Sequence, residues 1–113
     1  MGETVTLALS AHDIADWESF HTACVEKLGF PTYYGRNLDA WDDCARGSDY
    51  GPFALDAPCA AIALNLPRRD DFSGEAREIV DFVCGAVPDA NAFRLKHGAP
   101  LIALVAVRAE GRI

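Results

Sequence analysis

The 113-residue chain has no CxxC pair, no long apolar run and no basic surplus. Its four cysteines, at 24, 44, 59 and 84, stand far apart, which argues against a zinc site or a dithiol redox centre. Such spacing suits reduced, mostly buried thiols in a cytosol. No segment approaches the length of a membrane-spanning helix. MGETVTLALS lacks the basic region and long apolar core of a secretory signal, so a cytoplasmic protein away from membranes is expected. Seventeen acidic against ten basic side chains give a formal charge of −7. A negative chain has no cationic footprint for direct contact with nucleic acid, and a basic protein suits it better. The chain also lacks a glycine-rich phosphate loop, an HExxH pair and a GxSxG elbow. No cofactor and no enzymatic activity are therefore expected. What is present is an ordinary globular composition, 50% hydrophobic and 24% charged. Residues 1–113 should form a single domain with one core.

The alternation TVTLAL predicts a strand from Thr4 to Leu9, with Val5, Leu7 and Leu9 on one face. A helix should follow from Asp13 or Asp16, either of which suits an N-cap. Its apolar stripe is Trp17, Phe20, Cys24, Val25 and Leu28, and Gly29 is a natural stop. His21 lies close to that stripe and reads as a packing residue with a satisfied ring nitrogen. Phe30-Pro31 breaks the helix, and Thr32 to Arg36 form a tight loop. Asn37 then caps a second helix that runs to Arg46 and ends at Gly47.

Cys59 to Leu66 is a short apolar run bounded by prolines, which predicts a strand covered on both faces. A helix is expected from Ser73 to Val87, where Pro88 breaks the pattern, with one further short helix within residues 88–98. LIALVAV, from Leu101 to Val107, reads as another strand buried on both faces, with a charged tail beyond it. Long helical crossovers between three strands imply a small parallel sheet with right-handed connections, packed against helices.

The second helix carries an acidic cluster. At about 100° per residue, Leu38, Ala40, Trp41, Cys44 and Ala45 fall on an inward side. Asp39, Asp42, Asp43 and Arg46 fall on the other. Asp39 gains about 0.3–1 kcal/mol from the helix dipole. Arg46 relieves Asp42 and Asp43 by about 0.2–0.5 kcal/mol each, while Asp39 repels both by similar amounts. These terms nearly cancel, so folding neither demands nor forbids the cluster. Three carboxylates could also hold Mg²⁺, which would make the chain a small metal-dependent enzyme.

FPTYYGRNLDAWDDCARG, residues 30–47, resembles the signature of the barstar family of intracellular ribonuclease inhibitors. The matching elements are Phe30-Pro31, Tyr33-Tyr34-Gly35, Asn37-Leu38-Asp39-Ala40, Asp43-Cys44 and Gly47. Upstream, Phe20-His21 stands where that family has an apolar residue and a histidine. The resemblance implies a three-stranded parallel sheet flanked by helices. It also implies that the second helix and its preceding loop plug the active site of a basic ribonuclease or nuclease toxin. Tyr33, Gly35 and Asn37 would then be contact residues. Asp39 and Asp43 would be the principal carboxylates, with Asp42 and Arg46 beside them.

Two positions depart from the pattern. Trp41-Asp42 stands where a leucine and a tryptophan precede the last aspartate, and Arg46 replaces a small polar residue. The third long helix of the family supplies a further acidic contact, for which Glu78 or Asp81 is available. The chain is expected to be a monomer when free. The competing expectation is a binding module of the same fold with a partner that is not a nuclease.

Overall fold

The computed structural model describes residues 2–107; the charged tail lies outside them. In chain order the elements are β1 (Thr4–Ala8), α1 (Trp17–Glu26), α2 (Leu38–Arg46), β2 (Ala61–Pro67), a 3-10 turn (Arg69–Asp71), α3 (Gly74–Lys96) and β3 (Leu101–Val107). The three strands form one parallel sheet in the order β1-β2-β3. Its register aligns Val5 with Ile62 and Ile62 with Ile102. The fold is the expected α/β arrangement of a three-stranded parallel sheet with three helices.

The strand order decides where the helices go. Each crossover steps one strand in the same direction, and right-handed connections then lay every helix on the same face. That face carries Leu7, Ile62, Leu64, Leu66, Ile102 and Leu104, which join the core. Among the described residues, the opposite face stays open along β3. Leu101 and Val105 are 39% and 40% exposed, with Ala103 exposed between them. The expectation that β2 and β3 are covered on both faces is therefore corrected. Their continuous apolar runs are rich in alanine, which is small enough to sit at a surface and reports little about burial.

Local chemistry sets the helix ends. Asp16, rather than Asp13, caps α1 by accepting from the Ser19 amide at 2.8 Å. Asp13 instead closes a turn with Ser10 and pairs with Lys27 at 2.7 Å. Gly29 follows α1 with a φ of 77°, where glycine avoids the clash a Cβ would make. α3 runs unbroken through Pro88, against expectation. Pro88 and the residue four before it, Cys84, are both exposed, so the carbonyl without a helical partner stands on the solvent side. Meanwhile Ile79, Val80, Val83, Ala86, Val87 and Ala90 keep one buried stripe across the proline. Packing of that stripe outweighs the local break.

Trp41 lies at the centre of the core, fully buried. Its indole donates toward Cys24 Sγ at 3.2 Å, and Phe20, Phe30 and Phe82 surround it at ring distances of 5.4–6.3 Å. Such edge and offset contacts add to plain area burial. α2 is thereby anchored on its inner side. All four thiols are free, but only Cys24 is buried; Cys44 and Cys59 are half-buried and Cys84 is exposed, so the thiols are less sheltered than expected.

Candidate functional site

The tyrosine pair divides its labour. Tyr34 is buried, with its hydroxyl 2.5 Å from His21 Nδ1. Burial pushes the Tyr34 phenol up and, with the Arg36 charge, pulls the His21 imidazole down. Both groups stay neutral at ordinary pH and share one hydrogen bond, which is the packing role expected of His21. Tyr33 points the other way and is 67% exposed. Its hydroxyl donates to the Asp49 carboxylate on the loop after α2.

The backbone between the tyrosines and α2 is closely fitted. A Cβ at Gly35 would sit 3.3 Å from Asn37 Nδ2 and 3.4 Å from Ala40 Cβ, so glycine lets the loop approach the first helical turn. Arg36 adopts a left-handed φ of 57° and donates to the Glu18 carbonyl and the Thr22 hydroxyl of α1. Asn37 caps α2 as expected, its Oδ1 accepting from the Ala40 amide at 2.8 Å.

The carboxylates of α2 are not equivalent. Asp39 is exposed and makes no ion pair with any described residue. Asp43 is exposed and pairs with Arg46 at 3.2 Å, across side chains open to water. A surface pair of this kind contributes about 0–1 kcal/mol. Asp42 is half-buried rather than turned fully outward. Burial pushes its carboxyl up, and Asp39, Asp89 and Asp43 add to the rise against the opposing pull of Arg46.

Leu38, expected on the inner side, is 42% exposed. It opens the first turn, before the helix reaches the core. Tyr33 and Asp43 line one shallow cleft of about 160 Å³ with Pro31, Cys44, Gly47, Ser48 and Asp49. Gly47 is fixed by crowding, since a Cβ there would meet Leu55 Cγ at 2.6 Å.

One residue that sequence reasoning missed holds this surface together. Arg94, in the last turn of α3, is fully buried. Its guanidinium donates to the Ala45 and Arg46 carbonyls at 3.2 Å each, to the Phe53 carbonyl at 2.8 Å and to the Pro100 carbonyl at 2.5 Å. A cation thus sits against the negative end of the α2 dipole and satisfies carbonyls that the helix leaves unpaired. The signal was in the sequence: Arg94 continues the α3 stripe four residues after Ala90, and a helix ended at Pro88 conceals it. Asp89 of α3 lies outside the sequence expectation, which named Glu78 or Asp81. Among the α3 carboxylates it is the one that acts on Asp42, whereas Asp81 is tied to Arg69 at 2.5 Å and Glu78 is exposed without such a link.

Among the described residues, no group of three or more His, Cys, Asp or Glu is arranged to hold a metal ion. No described helix is long and apolar enough to cross a membrane. The arrangement brings together exposed carboxylates, an amphipathic tyrosine and a shallow cleft on a braced helix. Residues 4–104 match the family described as Barstar (barnase inhibitor). The chain belongs to the barstar family. A Bacillus subtilis (strain 168) protein named "Putative ribonuclease inhibitor YrdF" is 34% identical over 68 residues, which cover 60% of this chain and 68% of that protein. Membership in this family points to inhibition rather than catalysis.

Proposed function

We propose that this barstar-family protein inhibits a basic microbial ribonuclease by seating α2 and the Tyr33–Asn37 loop in the enzyme's cationic cleft. The observation that carries the reading is that Asp39 and Asp43 are exposed on a helix braced at both ends, by Asn37 and by Arg94. A ribonuclease gathers cationic side chains to bind phosphates. Carboxylates on a rigid helix occupy those phosphate positions with charge-assisted hydrogen bonds. Bracing matters because side chains and backbone ordered beforehand need not be ordered on binding. Tyr33 contributes amphipathic surface, as interface hot spots often do. Gly35 and Asn37 shape the loop, Asp42 and Arg46 flank the principal carboxylates, and Asp89 takes the role of the acidic contact from α3. The partner is a co-produced ribonuclease or nuclease toxin, met in the cytoplasm, where free thiols stay reduced.

The test is titration of barnase or another guanyl-preferring ribonuclease with this protein while RNA cleavage is followed. Stoichiometric loss of cleavage is expected. Asp39→Ala and Asp43→Ala should each weaken the complex about ten- to a hundredfold, the scale of a lost charged hydrogen bond. Both should leave folding stability within about 0.5 kcal/mol, because both side chains face water. Cleavage untouched at saturating protein would end the ribonuclease reading. The pairing of Asp43 with Arg46 favours one alternative, the same surface bound to a protein other than a nuclease. A complex that forms while RNA cleavage continues would select it.

A further inference from the structure

Tyr33 is the most exposed aromatic side chain of the binding surface, yet its hydroxyl is not free. The Asp49 carboxylate accepts from it across the mouth of the cleft that Asp43, Cys44 and Gly47 also line. We propose that Asp49 is a positioning residue for partner binding, clasping the Tyr33 hydroxyl so that the ring is held in its binding orientation before the partner arrives. The proposal rests on the inhibitory reading above and adds to it a residue outside the 30–47 signature.

Both arms of the clasp are fixed at their bases. On one side, the Tyr34 amide donates to the Pro31 carbonyl at 2.9 Å, and the buried Tyr34 ring pins the backbone next to Tyr33. On the other, Ser48 and Ala54 form an isolated parallel bridge, and the Ser48 hydroxyl donates to the Tyr50 carbonyl at 2.6 Å. Arg94 then holds the Phe53 carbonyl at 2.8 Å, so the loop that bears Asp49 is tied to the same buried cation as the end of α2. Between two fixed bases, one hydrogen bond removes the remaining side-chain freedom of an otherwise solvent-exposed ring. Ordering a free side chain on binding weakens affinity, and the clasp does that ordering in the free protein. The bond also needs a neutral phenol. Consistent with that, the Asp49 hydrogen bond, with lesser help from burial and the Asp49 and Tyr50 charges, pushes the Tyr33 hydroxyl up to about 12.

Two measurements test the clasp, one without any partner. Residue-resolved NMR titration of the tyrosine rings in the free protein should show Tyr33 still protonated at roughly pH 11, and Asp49→Ala should bring its midpoint down toward the ordinary value near 10. A Tyr33 midpoint that Asp49→Ala does not move would overturn the clasp. The second measurement is a double-mutant cycle on barnase affinity. Asp49→Ala should weaken binding roughly five- to tenfold in the natural background and leave it unchanged in Tyr33→Phe, where no hydroxyl remains to be held. An equal loss in both backgrounds would overturn positioning, since Asp49 would then act on the partner directly. If the natural protein leaves barnase unbound, the inhibitory reading fails on its own account, and the titration alone decides the clasp.

Discussion

Asp42 sits between two solvent-facing carboxylates and is itself half-buried, with Asp89 of α3 adding to the repulsion. Its folded pKa is raised, so the folded state holds that proton more tightly than the unfolded chain does. The resulting penalty is absent below the unfolded value of 3.8, grows as pH rises through the folded pKa and is complete at neutrality. Asp42→Asn should therefore raise the melting temperature at about pH 7, by the equivalent of about 0.5 kcal/mol or less, and lose that advantage by about pH 3. Thermal melts of both proteins across that range would check it. Arg46 presents the opposite case. Arg46→Ala frees Asp43 and should leave barnase affinity equal or up to about fivefold stronger, the scale of a surface ion pair. A large loss, measured by calorimetry, would mean that Arg46 itself touches the partner. At this scale the sequence was legible where a side chain's role follows from its place on a helix wheel. Asp39, Asp43 and Trp41 fall where the wheel puts them, whereas Leu38 and Asp42 depend on how far the core extends beneath α2. Asp49 was invisible because its partner is sixteen residues away across a loop.

At the scale of elements, α2 is held by chemistry at both ends, and only one end was readable. Asn37 lies directly before its helix and is a local cap. Arg94 caps the other end from 48 residues away in sequence, by a tertiary contact that no local rule supplies. Arg94→Met should destabilise the protein by about 3 kcal/mol, since it leaves several buried carbonyls without a donor. The loss should also appear as faster amide hydrogen exchange in the last turn of α2 and in the 48–54 loop. Exchange confined to α3 would argue that Arg94 only fills space. The helix that carries it was divided at Pro88 because proline lacks an amide proton. A buried stripe spanning the proline overrides that local preference, and only the structure weighs the two.

For the molecule as a whole, the topology followed from three apolar runs and the length of the connections between them. The covering of the sheet did not, because strand order is a long-range property and alanine-rich strands look alike whether buried or bare. The net charge of −7 has a kinetic consequence. Association with a basic ribonuclease should slow steeply as salt rises from about 0.01 to 1 M and the screening length shrinks from about 30 to 3 Å. A rate measured by stopped flow that ignores salt would count against charge-led encounter.

The buried guanidinium has one more implication, which concerns time. Every residue assigned to the contact surface from the loop and α2 has been synthesised by Asp49, but the cation that secures the end of α2 is residue 94 and one of its acceptors is Pro100. At ordinary synthesis rates roughly two to ten seconds separate the two. A nascent chain in that interval carries the acidic segment without its brace, so α2 gains its C-terminal support only when the end of the last helix has been translated and folded back.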